Sequence, residues 1–190
     1  MKSQRDLRPS PSRGYRFLWR VPRSNRVGVG RGRARASASV VFPPRTTTRP
    51  MKRVLVQFAT ASDIPLLRRI DPWPNLQTWS RKIEAREVLI ALVDDEQAGA
   101  LRFEFIWTTV PFISHTFVEP RYRRRGVSRA LVDALRAHLR SIGHVALLSS
   151  SQSDDAPANA WHRALGFARN GVIENVADDG VHENVYRVLL

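Results

Sequence analysis

Residues 118–135 read VEPRYRRRGVSRALVDAL, with Arg121, Arg123, Arg124, Arg125 and Arg129 crowded around Gly126 ahead of an alternation of small and apolar residues. Like charges at close range repel, so such a cluster lowers stability unless something negative sits among them. Past the glycine, Val127, Ala130, Leu131, Ala134, Leu135 and His138 follow the i, i+3, i+4, i+7 spacing of an amphipathic helix, predicted over about 127–141 with one side against a sheet. The first N–H groups of a helix lack internal partners and sit at the positive end of its dipole, which makes them attract an anion. Gly126 is where a side chain would block that anion, and arginines add bidentate hydrogen bonds to phosphate oxygens. Pro120 fixes where the preceding strand stops. A pyrophosphate suits the stretch best, and a merely solvated arginine-rich turn is the alternative.

The charge is unevenly spread. Residues 1–50 hold twelve Arg and one Lys against Asp6 alone, a net +12, whereas residues 51–190 hold 18 basic and 16 acidic side chains, a net +2. The overall +14 therefore describes the first segment and not the body of the chain. Residues 1–50 mix Arg, Pro, Gly and Ser without a sustained period and are expected to be disordered. Three readings are open: an arm drawn to nucleic acid or membrane, a transit-like segment, or a start assigned too far upstream. The last is favoured because Met51 opens a strand pattern in MKRVLVQFA. Nucleic acid is expected as a partner only through residues 1–50.

Zero cysteines remove a disulfide framework, a thiolate zinc site and a cysteine nucleophile, and no metal is expected. No apolar run approaches the ~20 residues of a membrane span. A soluble, cytoplasmic protein with no membrane partner is expected. Its 43% hydrophobic composition is enough for one good-sized core, placed in residues 51–190.

Within that domain RVLVQFA reads as a strand, TASDIPLLRRID as a helix capped near Ser62 or Asp63, and NLQTWSRKIEARE as a second helix, with DPWPN the turn between them. EVLIALVDD, AGALRFEFIWT and PFISHTFVE form three β-rich runs with short connections, an antiparallel meander. After the 127–141 helix come the strand HVALLSS, a helix near 156–165, and two last strands in ARNGVIEN and HENVYRVLL.

The turn also resembles the acetyl-CoA loop of the GCN5-related N-acetyltransferases (GNAT), roughly V-x-P-x-Y-R-x-x-G-x-G/A. Val118, Pro120, Tyr122, Arg123 and Gly126 match it, and Ser128 stands where the family usually has Gly or Ala. A second segment, NAWHRALGF at 159–167, is similar to the family's Y-x-x-x-G-F helix end. The resemblance covers essentially all of residues 51–190 in element order. It implies an α/β (α+β) fold with a GNAT-like mixed, mostly antiparallel central sheet and helices on both faces. It also implies an acyltransferase that moves an acetyl group from acetyl-CoA to a primary amine of a small molecule or peptide by direct attack. Arg123, Arg124, Arg125, Gly126, Val127 and Ser128 would hold the pyrophosphate. The main chain of Phe117 and Val118 would meet pantetheine, and Asp155 falls where many relatives carry an Asn near the cofactor arm.

The reaction needs a base for the amine, a donor for the developing oxyanion and an acid for the leaving thiolate. His162 stands where the family commonly has a Tyr that protonates the thiolate, a role open to a histidine whose pKa stays near neutral. Its other reading is a packed helix histidine beside Trp161. Two side chains compete as base: His115, alternating with Ile113 and Phe117, and Glu104, whose neighbours Phe103 and Phe105 would raise a carboxyl pKa. A water-mediated base is the third choice. Trp73, Trp79 and Trp107 either wall an acceptor pocket or belong to a core or interface. The acceptor is not legible, and a homodimer is left open. The competing functions are a non-catalytic acyl-CoA sensor module and a nucleic-acid-associated protein acting through residues 1–50.

Overall fold

Among the described residues, seven strands and four α-helices follow the predicted order: β1 Val54–Phe58, α1 Ile64–Ile70, α2 Leu76–Glu84, β2 Val88–Val93, β3 Glu96–Ile106, β4 Val110–Val118, α3 Val127–Ser141, β5 Ala146–Gln152, α4 Ala156–Ala164, β6 Ala168–Ile173 and β7 Glu183–Leu189. The structure, a computed structural model, describes residues 53–176 and 180–190. The expectations for residues 1–50 and for a start at Met51 lie outside the described residues.

One sheet takes the order β1-β2-β3-β4-β5-β7-β6. Every neighbouring pair is antiparallel except β4–β5, which is parallel and joined by the α3 crossover. Two tight hairpins make the meander. Asp94 and Asp95 turn β2 into β3 with φ of 53° and 63°, and Trp107 and Thr108 turn β3 into β4 with φ of 48° and 69°. Two successive positive φ values match the twist of the flanking strands.

Alternation along the strands sends side chains to two separate cores. On one face, Val127, Leu131, Val132, Leu135 and Leu139 of α3 pack with Leu101, Phe103, Ile113, Leu147 and Phe167. The inward stripe of α3 is thus rotated from the one read in the sequence, since Ala130, Ala134 and His138 flank it. On the other face, Leu67 of α1 and Trp79 of α2 pack on Val88, Ile90 and Ala100. Each fully buried Leu or Ile contributes about 1.5–3 kcal/mol. Helices therefore cover both faces of a mixed, mostly antiparallel sheet, the fold class that the resemblance implied. No described helix is long and apolar enough to cross a membrane.

Candidate active site

The parallel pair is short. β4 and β5 meet only at Phe112↔Leu148 and Ile113↔Ser149. Beyond them β4 stays on β3 as far as Gly99↔Val118, while β5 stays on β7 as far as Gln152↔Glu183. The two strands part and leave a wedge between residues 114–118 and 150–152. Parallel pairing puts both carboxyl ends at the mouth of this wedge, so α3 and α4 begin there, where open α/β sheets bind ligands.

Local features bend β4 away. The register slips between Arg102 and Phe103, so that Arg102 faces His115 but Phe103 faces Ile113, and Ser114 is the extra residue. Ser114 Oγ donates to the Arg102 carbonyl at 3.3 Å. Further on, a Cβ on Gly99 would lie 2.6 Å from the Phe117 carbonyl oxygen, so β4 approaches β3 as only glycine permits.

A short 3-10 turn, Pro120–Tyr122, leads from β4 to α3. Gly126 is the N-cap of α3 with φ 80°, and no side chain caps the helix. A Cβ at Gly126 would meet nothing within 4 Å, so the left-handed backbone, and not a lack of space within the protein, is what calls for glycine. The five arginines have different tasks. Arg121 pairs with Glu96 at 3.1 Å and lies over the Tyr122 ring. Arg123 Nε donates to the Val118 carbonyl at 3.1 Å, and Arg129 Nη2 to the Ala164 carbonyl at 2.8 Å. Arg124 and Arg125 are exposed, and no described residue forms an ion pair with either. Val127 points into the core, Ser128 is half-buried on the first turn of α3, and Phe117 and Val118 are half-buried at the end of β4. Thr116, in the diverging part of β4, is 5% exposed and its Oγ1 has no hydrogen-bond partner.

On the α4 side, Asp155 is the N-cap, its Oδ1 accepting from Ala158 N at 2.9 Å. Asn159 Oδ1 accepts from Ser151 Oγ, Asn184 Nδ2 and the Tyr186 hydroxyl, while its Nδ2 donates to the carbonyls of Gln152 and Ser153. The end of β5 is thereby tied to α4 and β7.

His162 lies at the apex of the wedge, 2% exposed and stacked on Tyr186 with ring centroids 4.1 Å apart. Its Nδ1 is 2.8 Å from the Ala158 carbonyl and its Nε2 is 2.9 Å from Ser149 Oγ. A carbonyl only accepts, so Nδ1 carries the hydrogen and Nε2 accepts from Ser149. Burial lowers the imidazole pKa to about 4, against a smaller opposing effect of the Ala158 hydrogen bond. The acid role calls for a near-neutral pKa, and the lowered value together with the packing of the ring against Trp161, Phe167 and Tyr186 weighs against it.

His115 and Glu104 point to the α1–α2 side. His115, whose side chain is 20% exposed, lies in the diverging part of β4, with Nδ1 3.7 Å from Asp71 Oδ2. Burial lowers its pKa most, Asp71 raises it and Arg102 lowers it. Glu104 faces Phe112 on β4, before the strands part, and its oxygens lie 3.4 Å from Lys82 Nζ and 3.9 Å from Arg102 Nη1. It is held by two cations rather than by aromatic rings alone.

The tryptophans are not brought together. Trp79 is 1% exposed in the α1–α2 core, and Trp107 is 80% exposed at the β3–β4 turn, at the other end of β4 from the mouth of the wedge. Trp73, 65% exposed, lies in the α1–α2 connection two residues after Asp71, which is the residue that reaches His115. Asp71, Arg102, Thr116, Ser149 and Asn159 were not singled out in the sequence. Asp71 is hidden within a motif read as a turn, and the others look like ordinary strand or helix residues.

A parallel pair splayed within an antiparallel sheet, with a helix that no side chain caps and two arginines without ion-pair partners at its mouth, Arg125 lying 6.0 Å over the Tyr122 ring, is the arrangement of an acyl-CoA-dependent transferase. Residues 57–167 match the acetyltransferase (GNAT) family, and the chain belongs to that family. It is 33% identical over 105 residues to an aminoglycoside N(6')-acetyltransferase type 1 of Stenotrophomonas maltophilia, covering 51% of this chain and 69% of that one. It is 30% identical over 111 residues to the protein of the same name from Acinetobacter genomosp. 13, covering 50% and 76%. Among solved structures, the Salmonella typhimurium acetyltransferase yncA with its cofactor acetyl-CoA superposes with a TM-score of 0.62 at 18% identity, covering 73% of this chain and 94% of that one. The protein is an acyltransferase that moves an acetyl group from acetyl-CoA to an amine.

Proposed function

We propose that the acceptor is a primary amine of a polycationic small molecule of the aminoglycoside kind, and that His115 is the base that prepares it. The observation that carries this reading is the place of His115, on the diverging stretch of β4 and on the opposite side of the sheet from α3. The names of the two curated relatives support the acceptor class. So does Glu183 on β7, whose position in its strand puts it on the same face as His115 and offers negative charge to a further ammonium group, whereas Glu104 on that face is already held by Lys82 and Arg102. Burial raises the Glu183 pKa, a hydrogen bond from Ser150 lowers it, and Asp155 raises it.

Acetyl-CoA, when bound, supplies an activated thioester carbonyl. Arg124, Arg125 and the first N–H groups of α3, those of Val127 and Ser128 among them, bind its phosphates. Arg123 acts indirectly, holding the Val118 carbonyl and so the shape of the loop. The main chain of Phe117 and Val118 lines the β4 side, and Thr116 Oγ1 gains there the partner it otherwise lacks. Asp155 holds the start of α4, and Trp73 borders the acceptor side.

A neutral His115 Nε2 takes a proton from the acceptor's ammonium group and passes it to solvent. His162 acts through Ser149, fixing the apex of the wedge. Because its Nε2 accepts, the proton for the departing sulfur comes from water at the mouth. The supply of acetyl-CoA supports a cytoplasmic site of action.

Release of thiol from acetyl-CoA, followed over a panel of aminoglycosides, linear polyamines and peptide α-amines, tests the reading. Aminoglycosides are expected to turn over fastest, and His115→Gln to lower their kcat by about 10²-fold or more. Turnover confined to peptide α-amines overturns the acceptor class, and an unchanged rate in His115→Gln overturns the base.

A further inference from the structure

Asp71 is the C-cap of α1, yet the residue is only 2% exposed. A buried carboxylate is costly unless it is compensated. Arg102 compensates it, with Nε 3.1 Å and Nη2 3.0 Å from the same oxygen, Oδ2. That oxygen is also the one 3.7 Å from His115 Nδ1. Arg102 and His115 are direct partners across β3 and β4, so two adjacent strands aim nitrogen groups at one atom at the end of a helix. The arginine is itself packed over the Trp79 ring, 6.0 Å from its centroid, which limits its movement.

The charges around this group come from α1, α2 and β3. Glu104 lies 3.9 Å from Arg102 Nη1, and Lys82 bridges Glu104 at 3.4 Å to Glu87 at 2.9 Å. Asp71 raises the His115 pKa and Arg102 lowers it, while burial lowers it most.

We propose that Asp71 is the positioning residue of the base: held by Arg102, its Oδ2 turns His115 so that Nδ1 carries the hydrogen and Nε2 receives the acceptor's proton. This rests on the assignment of His115 as base. A separation of 3.7 Å is long for a hydrogen bond and short enough for an ion pair, so the contact tightens when the imidazole becomes charged. The proton leaves the acceptor nitrogen, resides on His115 Nε2 and departs to water. Burial and Arg102, working against Asp71, leave the resting imidazole neutral.

The experiment is a ¹⁵N NMR titration of the histidine rings in the full chain, for wild type, Asp71→Asn, Arg102→Gln and His115→Gln, beside the pH dependence of kcat/KM with acetyl-CoA and kanamycin. In wild type the His115 signal, identified by its loss in His115→Gln, should show hydrogen on Nδ1. Asp71→Asn should move that hydrogen toward Nε2, lower the His115 pKa and reduce kcat/KM at least about tenfold. Arg102→Gln should shift the pKa and the acidic limb of the rate profile the other way, to higher pH. Asp71→Glu should restore the wild-type tautomer at least in part, which a simple loss of folding would not reproduce. An unchanged tautomer and pKa in Asp71→Asn overturns the proposal even if His115→Gln is inactive. A wild-type rate in His115→Gln overturns the assignment of the base instead. Should Asp71→Asn not fold, Arg102→Gln decides, since an unmoved His115 pKa there contradicts the coupling.

Discussion

His162 Nε2 stands 2.9 Å from Ser149 Oγ, and Ser149 belongs to the last pair that joins β5 to β4. One hydrogen bond thus ties α4 to the point from which the wedge opens, and the neutral imidazole, with Nδ1 donating to Ala158, accepts it at Nε2. With its pKa lowered to about 4 from an ordinary 6.5, His162 favours the folded state wherever an unfolded histidine is also neutral. Its contribution is complete above about pH 6.5 and is lost as pH falls toward 4, on the order of 3 kcal/mol in all. His115 and His138, whose pKa values are also lowered by burial first, add with the same sign. Urea melts at pH 7.5, 5.5 and 4.5 should show stability falling over that window, and equal midpoints would contradict the neutral, buried state.

Gly99 and Gly126 should respond differently to alanine. A Cβ at Gly99 meets the Phe117 carbonyl oxygen at 2.6 Å, an overpacking that costs about 1–3 kcal/mol and pushes the end of β4. At Gly126 the only penalty is the left-handed φ, about 1–2 kcal/mol. Gly99→Ala should therefore lower both the melting temperature and acetyl-CoA affinity. Retained affinity in a folded Gly99→Ala would mean that Phe117 and Val118 do not border the cofactor.

Thr116→Val keeps the shape of the side chain and removes a buried oxygen that lacks a partner. Without ligand, stability should hold or rise by about 1 kcal/mol. With acetyl-CoA the thermal shift should shrink, because the hydroxyl that gained a partner is gone. An equal shift in the two proteins would take Thr116 out of the site.

The parts of this structure that local chemistry decides were readable in advance. The helix Val127–Ser141 was marked by Gly126 ahead of it and by its apolar spacing, and the β2–β3–β4 meander by β-rich runs with short connections. Gly126 was found for its place in a loop, though its backbone angle is the stronger reason. What depends on distant partners was not readable. The 43 residues between Asp71 and His115 carry no sign that the two will meet. The parting of β4 from β5 comes from a bulge and a close glycine contact, neither of which has a periodic signature. Trp79 and Trp107 are equally aromatic in the sequence, yet one is buried beneath α1 and the other stands at a hairpin tip. For His162 the sequence left acid and core residue open, and the burial of the ring, which favours the second, is set by partners distant in the chain.

The proposed phosphate site is made by Arg124, Arg125 and the start of α3. Calorimetric titration of acetyl-CoA into wild type, the Arg124→Ala/Arg125→Ala double variant and Arg121→Ala tests it directly. A hydrogen bond to a charged group contributes about 1.5–3 kcal/mol, so the double variant should bind on the order of 10²-fold more weakly, with an unchanged melting temperature in the absence of ligand. Arg121, already committed to Glu96, should leave affinity within about threefold of wild type. Equal affinity in the double variant, or an equal loss from Arg121→Ala, would contradict the account.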